Sequence, residues 1–181
     1  MTILLPGSQS GSGIRVKNAS AVAQAITAET RTYLAGSALK VPRGGLKVGD
    51  TFRWVFSMTK TAAGTATSTI DIAVGTAGTT ADTARVSFTK PAGTAAADEA
   101  RVVVEAVVRS VSATGVVVGI MNLTHNLSAT GHAQIPSVNV VTVSSGFDND
   151  DEELYFGLCL TTGASDAITV NVVAAELISG Q

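Results

Sequence analysis

Between Thr51 and Thr59 the side chains change character at every step. Phe52, Trp54, Phe56 and Met58 fall on one side of a two-residue repeat, and Thr51, Arg53, Val55, Ser57 and Thr59 on the other. That period belongs to an extended strand with one face on a core and the other on solvent or a partner. The stretch holds the single tryptophan and two of the five phenylalanines of the chain. Large rings dominate the energetics of a core, so this strand is expected to anchor it. Gly49-Asp50 before it and Ala62-Ala63-Gly64 after it are turn material.

The same habit extends along the chain. Strands are predicted at 28–34, 38–41, 51–59, 67–74, 84–88, 100–111, 115–125, 133–143, 154–162 and 167–178, separated by Gly-, Pro- and Ser-rich turns. Segments 100–111 and 115–125 should form a hairpin. No segment carries sustained helical spacing. Many short strands with frequent turns point to an all-β chain, an antiparallel β-sandwich or barrel. Its 181 residues suit one domain with a modest appendage. The domain is read as 28–181, and 1–27 as an extended N-terminal arm with a Gly/Ser linker at 7–13. A segment of that kind gains order only when something pins it, so the arm is expected to reach for a neighbour.

Face patterns divide the strands. In 67–74, Ile70, Ile72 and Val74 are expected inward, with Thr69, Asp71 and Ala73 outward. In 154–162, Leu154, Phe156, Leu158 and Leu160 are expected inward, with Tyr155, Gly157, Cys159 and Thr161 outward. By contrast 102–108, 116–121, 138–143 and 168–173 are apolar on both faces, and such strands need cover on both. Burying a valine contributes roughly 1.5–3 kcal/mol, so several together favour association. The expectation is a homo-oligomer, a ring of two or three copies.

Composition agrees. Charged residues are 14% of the chain, against about 25% on average, and aromatics only 4%. A surface so poor in charge suits a chain covered by copies of itself or by other proteins. All 12 Lys and Arg lie at or before Arg109, giving that part a net +5, while Ser110–Gln181 carries −7. The two parts could meet between neighbouring copies, or interleave within one sandwich.

Motifs for chemistry are sparse. His125 and His132 flank a loop without the carboxylate or cysteine spacing of a metal site, and are expected to be hydrogen-bonded loop histidines. The cluster Asp148-Asn149-Asp150-Asp151-Glu152-Glu153 lacks the calcium-loop spacing; it reads as a solvated acidic loop, with a hard cation or a neighbour's basic residues as the alternative. Cys159 is expected to be a packed, inert thiol. No phosphate loop or nucleophile elbow is present, and the basic residues are scattered without aromatics among them. The expectation is therefore no enzyme, no catalytic, cofactor or metal residues, and no nucleic-acid partner. Lacking a leader pattern or an apolar run of about 18 residues, the chain is expected to be made in a cytosol and not to enter a membrane. The segments Thr59–Ala66 and Thr89–Ala95 echo one another, which fits similar turns at similar corners.

Tyr33–Ser37, Leu46–Trp54, Thr59–Ala66, Gly75–Ala84 and His125–Gly131 together resemble virion structural proteins of tailed bacteriophages. The resemblance spans roughly 28–178. It implies a jelly-roll-like sandwich, often trimeric, displayed on the virion, and brings no catalytic residues. The roles it implies are capsid cement or decoration, head fibre, or tail-fibre adsorption. The favoured expectation is a homotrimeric decoration protein whose arm clasps the major capsid protein or another virion protein. The alternative is an adsorption module binding host-surface glycan.

Overall fold

The computed structural model describes residues 14–132, 140–164 and 168–180. Twelve strands are described: β1 Ile14–Ser20, β2 Gln24–Ile26, β3 Thr32–Tyr33, β4 Leu39–Val41, β5 Thr51–Lys60, β6 Ser68–Gly75, β7 Thr83–Lys90, β8 Asp98–Ser110, β9 Val116–His125, β10 Val140–Val143, β11 Leu154–Thr162 and β12 Ile168–Ile178. Two antiparallel sheets pack face to face. The larger runs β1-β12-β5-β8-β9-β10, with β2 also on β12; the smaller runs β3-β11-β6-β7, with β4 also on β11. The chain passes from β5 to the hairpin β6–β7 in the opposite sheet and returns as β8; β11 likewise crosses over before β12 returns. First and last strands thus pair, giving the nested order β1-β12-β5-β8 over β3/β4-β11-β6-β7, with β9 and β10 added beside β8.

The all-β sandwich expected from the alternation is what forms. Strand β5 lies between β12 and β8, and Phe52, Trp54, Phe56 and Met58 are all buried. Phe52 stacks on Trp54 at 5.7 Å between ring centroids and, across the sandwich, on Phe156 at 4.2 Å. Phe147 meets Phe156 edge-on at 5.2 Å. The Trp54 indole N–H donates to the Ser37 carbonyl at 2.8 Å. The Ser37 hydroxyl donates to the Leu34 carbonyl and accepts from the Leu158 N–H at 2.9 Å. A buried serine therefore fastens the turn at which the neighbour of β11 changes from β3 to β4.

Two expectations are altered. Ile14–Ser20 and Gln24–Ile26, read as arm, are built into the larger sheet on β12, and Ile26 reaches the core. Residues 1–13 of the arm, and 133–139 of the strand expected at 133–143, lie outside the described residues. The outer faces of β6 and β11 are covered as well as the inner ones: Asp71, Ala73, Gly157 and Cys159 are all buried. Tyr33 lies over Gly157, where an added Cβ would fall 1.9 Å from its hydroxyl. Arg31 reaches Asp71 at 3.3 Å and donates to the carbonyls of Thr80 and Asp82. Alternation told which residues share a face, not what would cross it.

The strands expected to be apolar on both faces behave differently. Val102, Val104, Val117, Met121, Val170 and Val173 fill the core. On the outer face Val107 is 41% exposed, Ile120 38%, Val143 52% and Val172 44%. No described part of the same chain shelters them.

Trp54→Ala should cost about 3–5 kcal/mol, combining a large cavity with an unpaired Ser37 carbonyl. Urea unfolding followed by far-UV circular dichroism measures it.

Candidate functional site

The chemistry-bearing side chains gather at the end of the sandwich where β5 and β7 finish and β8 begins. Continuing the inward phase of their strands, Lys60 follows Met58 and Lys90 follows Phe88. Both lysines are buried. The Lys60 ammonium donates to the carbonyls of Thr94 and Ala96 at 2.7 and 2.6 Å, and the Lys90 ammonium to those of Pro91 and His132 at 2.8 and 2.7 Å. Carbonyls satisfy the donors that burial would otherwise leave costly. The two loops that echo each other in sequence meet here: the Gly93 N–H donates to the Thr65 carbonyl at 3.1 Å. An added Cβ on Gly93 would sit 2.4 Å from the Gly131 carbonyl, so only glycine admits the contact.

Asp98, the first residue of β8, ties this end together. Its carboxylate accepts from the His132 N–H at 2.9 Å, the Glu99 N–H at 2.8 Å and His125 Nδ1 at 2.8 Å. Burial pulls its pKa upward, but the backbone donors and His125 outweigh it and hold the carboxyl below its usual range. The two histidines singled out in the sequence are thus joined through a carboxylate that linear spacing did not reveal. Strand pairing supplied it, because Ala100 sits opposite His125. His125 is hydrogen-bonded, as expected. His132 is not through its ring: both ring nitrogens are buried without a well-formed hydrogen bond, the Met58 backbone offering only a marginal contact. Burial, with Lys90 and Lys60 adding repulsion against the pull of Asp98, lowers its pKa to about 4.

The acidic loop is solvated as expected, with Asp150, Asp151, Glu152 and Glu153 exposed, and is fastened to its own chain. Asn149 is buried, accepting from the Leu46 N–H and donating to the Pro42 and Glu152 carbonyls. Arg43 pairs with Asp151 at 2.9 Å, and Lys40 with Glu153 at 2.8 Å. Across the larger sheet Arg53 pairs with Glu176 at 3.3 Å. Basic and acidic parts of the sequence therefore interleave within one sandwich. Among the described residues no group of three or more His, Cys, Asp or Glu is placed to hold a metal ion. Cys159 is buried and free, with burial pushing its thiol up to about 11, which makes it unreactive near neutrality.

The outer face of the larger sheet carries the exposed valines and, near His125, a groove of about 310 Å³ lined also by Ser57, Thr59, Glu99, Arg101, Thr124 and Asn171. Sequence reasoning expected apolar outward positions on these strands. It missed the buried lysines, although the phase of β5 and β7 places them inward.

The state of His132 gives the fold a pH dependence. Its folded pKa lies below the unfolded value near 6.5, so the unfolded chain binds the extra proton. Stability should be full above about pH 6.5 and fall by roughly 3 kcal/mol as pH drops through about 4, with Asp98 adding loss at the acid end. His132→Leu should flatten the part between pH 6.5 and 4, measured by urea midpoints across pH.

No family model matches the chain, and no curated protein sequence matches it. Among solved structures the chain is similar to the CBM2 module of the evolved Dit of Lactobacillus casei BL23 phage J-1. The identity is 7%, the match covers 92% of this chain and 77% of that one, and the TM-score is 0.34. A likeness at that level carries no argument about role.

Proposed function

We propose that this chain is a structural protein of a bacteriophage particle, a decoration protein that coats the shell as a homo-oligomer. The observation that carries a structural role is the outer face of the larger sheet. It exposes Val107, Ile120, Val143 and Val172 on four strands of one sheet. A lone copy leaves that face to water; a neighbour covers it. The virion setting rests on the resemblance of five sequence segments to tailed-phage structural proteins, and the nested strand order supports its jelly-roll reading. The site chemistry fits the same role. Lys60, Lys90, Asp98 and His132 are spent on holding loops together. The reading is a non-enzymatic one, without cofactor or nucleic-acid partner.

In this reading residues 1–13 clasp the major capsid protein, and the sandwich stands outside as a knob. The adsorption reading is favoured only by the polar groove at His125, which has no aromatic platform among its lining residues.

Removing residues 1–13 should abolish binding to shells that lack this chain, while the oligomer and the far-UV spectrum stay unchanged. Co-sedimentation with such shells measures it. Undiminished binding by the truncated chain would reject the clasp, and specific hits on a host-glycan array would favour adsorption instead.

A further inference from the structure

The outer face of the larger sheet carries a row of charges across four adjacent strands. Lys17 on β1, Glu176 on β12, Arg53 on β5 and Glu105 on β8 are successive register partners, so the signs alternate along the row. Arg53 sits between the two carboxylates, 3.2 Å from Glu105 and 3.3 Å from Glu176. The adjoining outward row runs Ala19, Ala174, Val55, Val103 through the same strands, small at one end and branched at the other. Over its small end lies a concavity of about 650 Å³, flanked by Lys17, Glu176 and Arg53.

We propose that two copies of the chain pair through this face about a two-fold axis parallel to the strands, between β12 and β5. That rotation lays each row on the same row of its partner, reversed. Lys17 then faces the partner's Glu105, and Glu176 faces the partner's Arg53. Ala19 faces the partner's Val103, so the branched end of one copy enters the concavity of the other. Within these two rows each charge meets its opposite and each valine meets an alanine. An isologous contact needs that self-complementarity. A partner of uniform charge would match two positions of the row and repel the other two. A three-fold ring joins two different surfaces and leaves the pattern unused.

The four strands, about 4.8 Å apart, and roughly eight residues of each make a patch near 500 Å² on each copy. The total of about 1,000 Å² sits at the lower bound for a specific interface, which predicts micromolar pairing in solution, reinforced when both copies are anchored on one shell. Ile120 and Val143, on β9 and β10, lie beyond the patch and remain for another neighbour.

The inference rests on the self-associating role proposed above. Sedimentation velocity from about 1 to 200 µM should show a monomer–dimer equilibrium that weakens with added salt. Lys17→Glu and Glu105→Lys should each weaken it about tenfold, and the two together should restore it. Within one copy these residues stand three strands apart, about 14 Å, so the restoration must come from across the interface. Circular dichroism checks that each variant folds, and the salt series on the unaltered chain stands if one does not. A stable trimer would overturn the two-fold pairing but keep self-association. A monomer at every concentration would overturn both. A dimer indifferent to salt, or to the charge exchanges in folded variants, would place the interface elsewhere and overturn this pairing.

Discussion

The structure depends on Phe52 being held between two other rings. It stacks on Trp54 along β5 and on Phe156 of β11 across the sandwich, so one side chain joins the two sheets. Stacked rings bury large areas and add about 0.5–1.5 kcal/mol per pair beyond that burial. The indole N–H is buried with them and needs an acceptor, which the Ser37 carbonyl supplies. That need draws the turn between β3 and β4 into the core, and the Ser37 hydroxyl then fastens it to Leu158 on β11. A single aromatic layer thus fixes how the two sheets sit on each other.

Polar groups close the two ends of the central strand. At the start of β5 the buried Asp50 carboxylate accepts from Arg15, from the Lys47 N–H and from the Gly180 N–H, gathering the first strand, the loop before β5 and the last residues of the chain. Opposite the end of β5, Asp98 gathers His125, His132 and Glu99. A buried carboxylate with several donors orders whatever carries those donors, because leaving it unpaired is so costly. The exposed pairs, Arg43–Asp151 and Lys40–Glu153, contribute little energy by comparison. They do show that acidic and basic parts of the sequence meet within one copy, as Arg53 does with Glu105 and Glu176 on the large sheet face.

The candidate site was partly legible. His125 and His132 stood out in the sequence, and the turn-like echo of Thr59–Ala66 with Thr89–Ala95 marked the loops beside them. The inward placement of Lys60 and Lys90 was readable from the phase of Phe52–Met58 and Val86–Phe88, had the alternation been followed one step further. Asp98 was not readable as their partner, because its tie to His132 crosses 34 residues and exists only once β8 pairs with β9.

By itself the sequence determined the all-β class, strands β3 to β12 and which of their residues share a face. These follow from the size and polarity of neighbouring side chains, which act over one or two residues. Tertiary structure alone decided that Ile14–Ile26 would join the larger sheet, and that Arg31 and Tyr33 would lie across Asp71 and Gly157. It also decided that Val107 and Val172 would stay open while Asp71 and Ala73 were covered. Such outcomes turn on which distant surfaces fit together, and no local pattern of side chains encodes that fit.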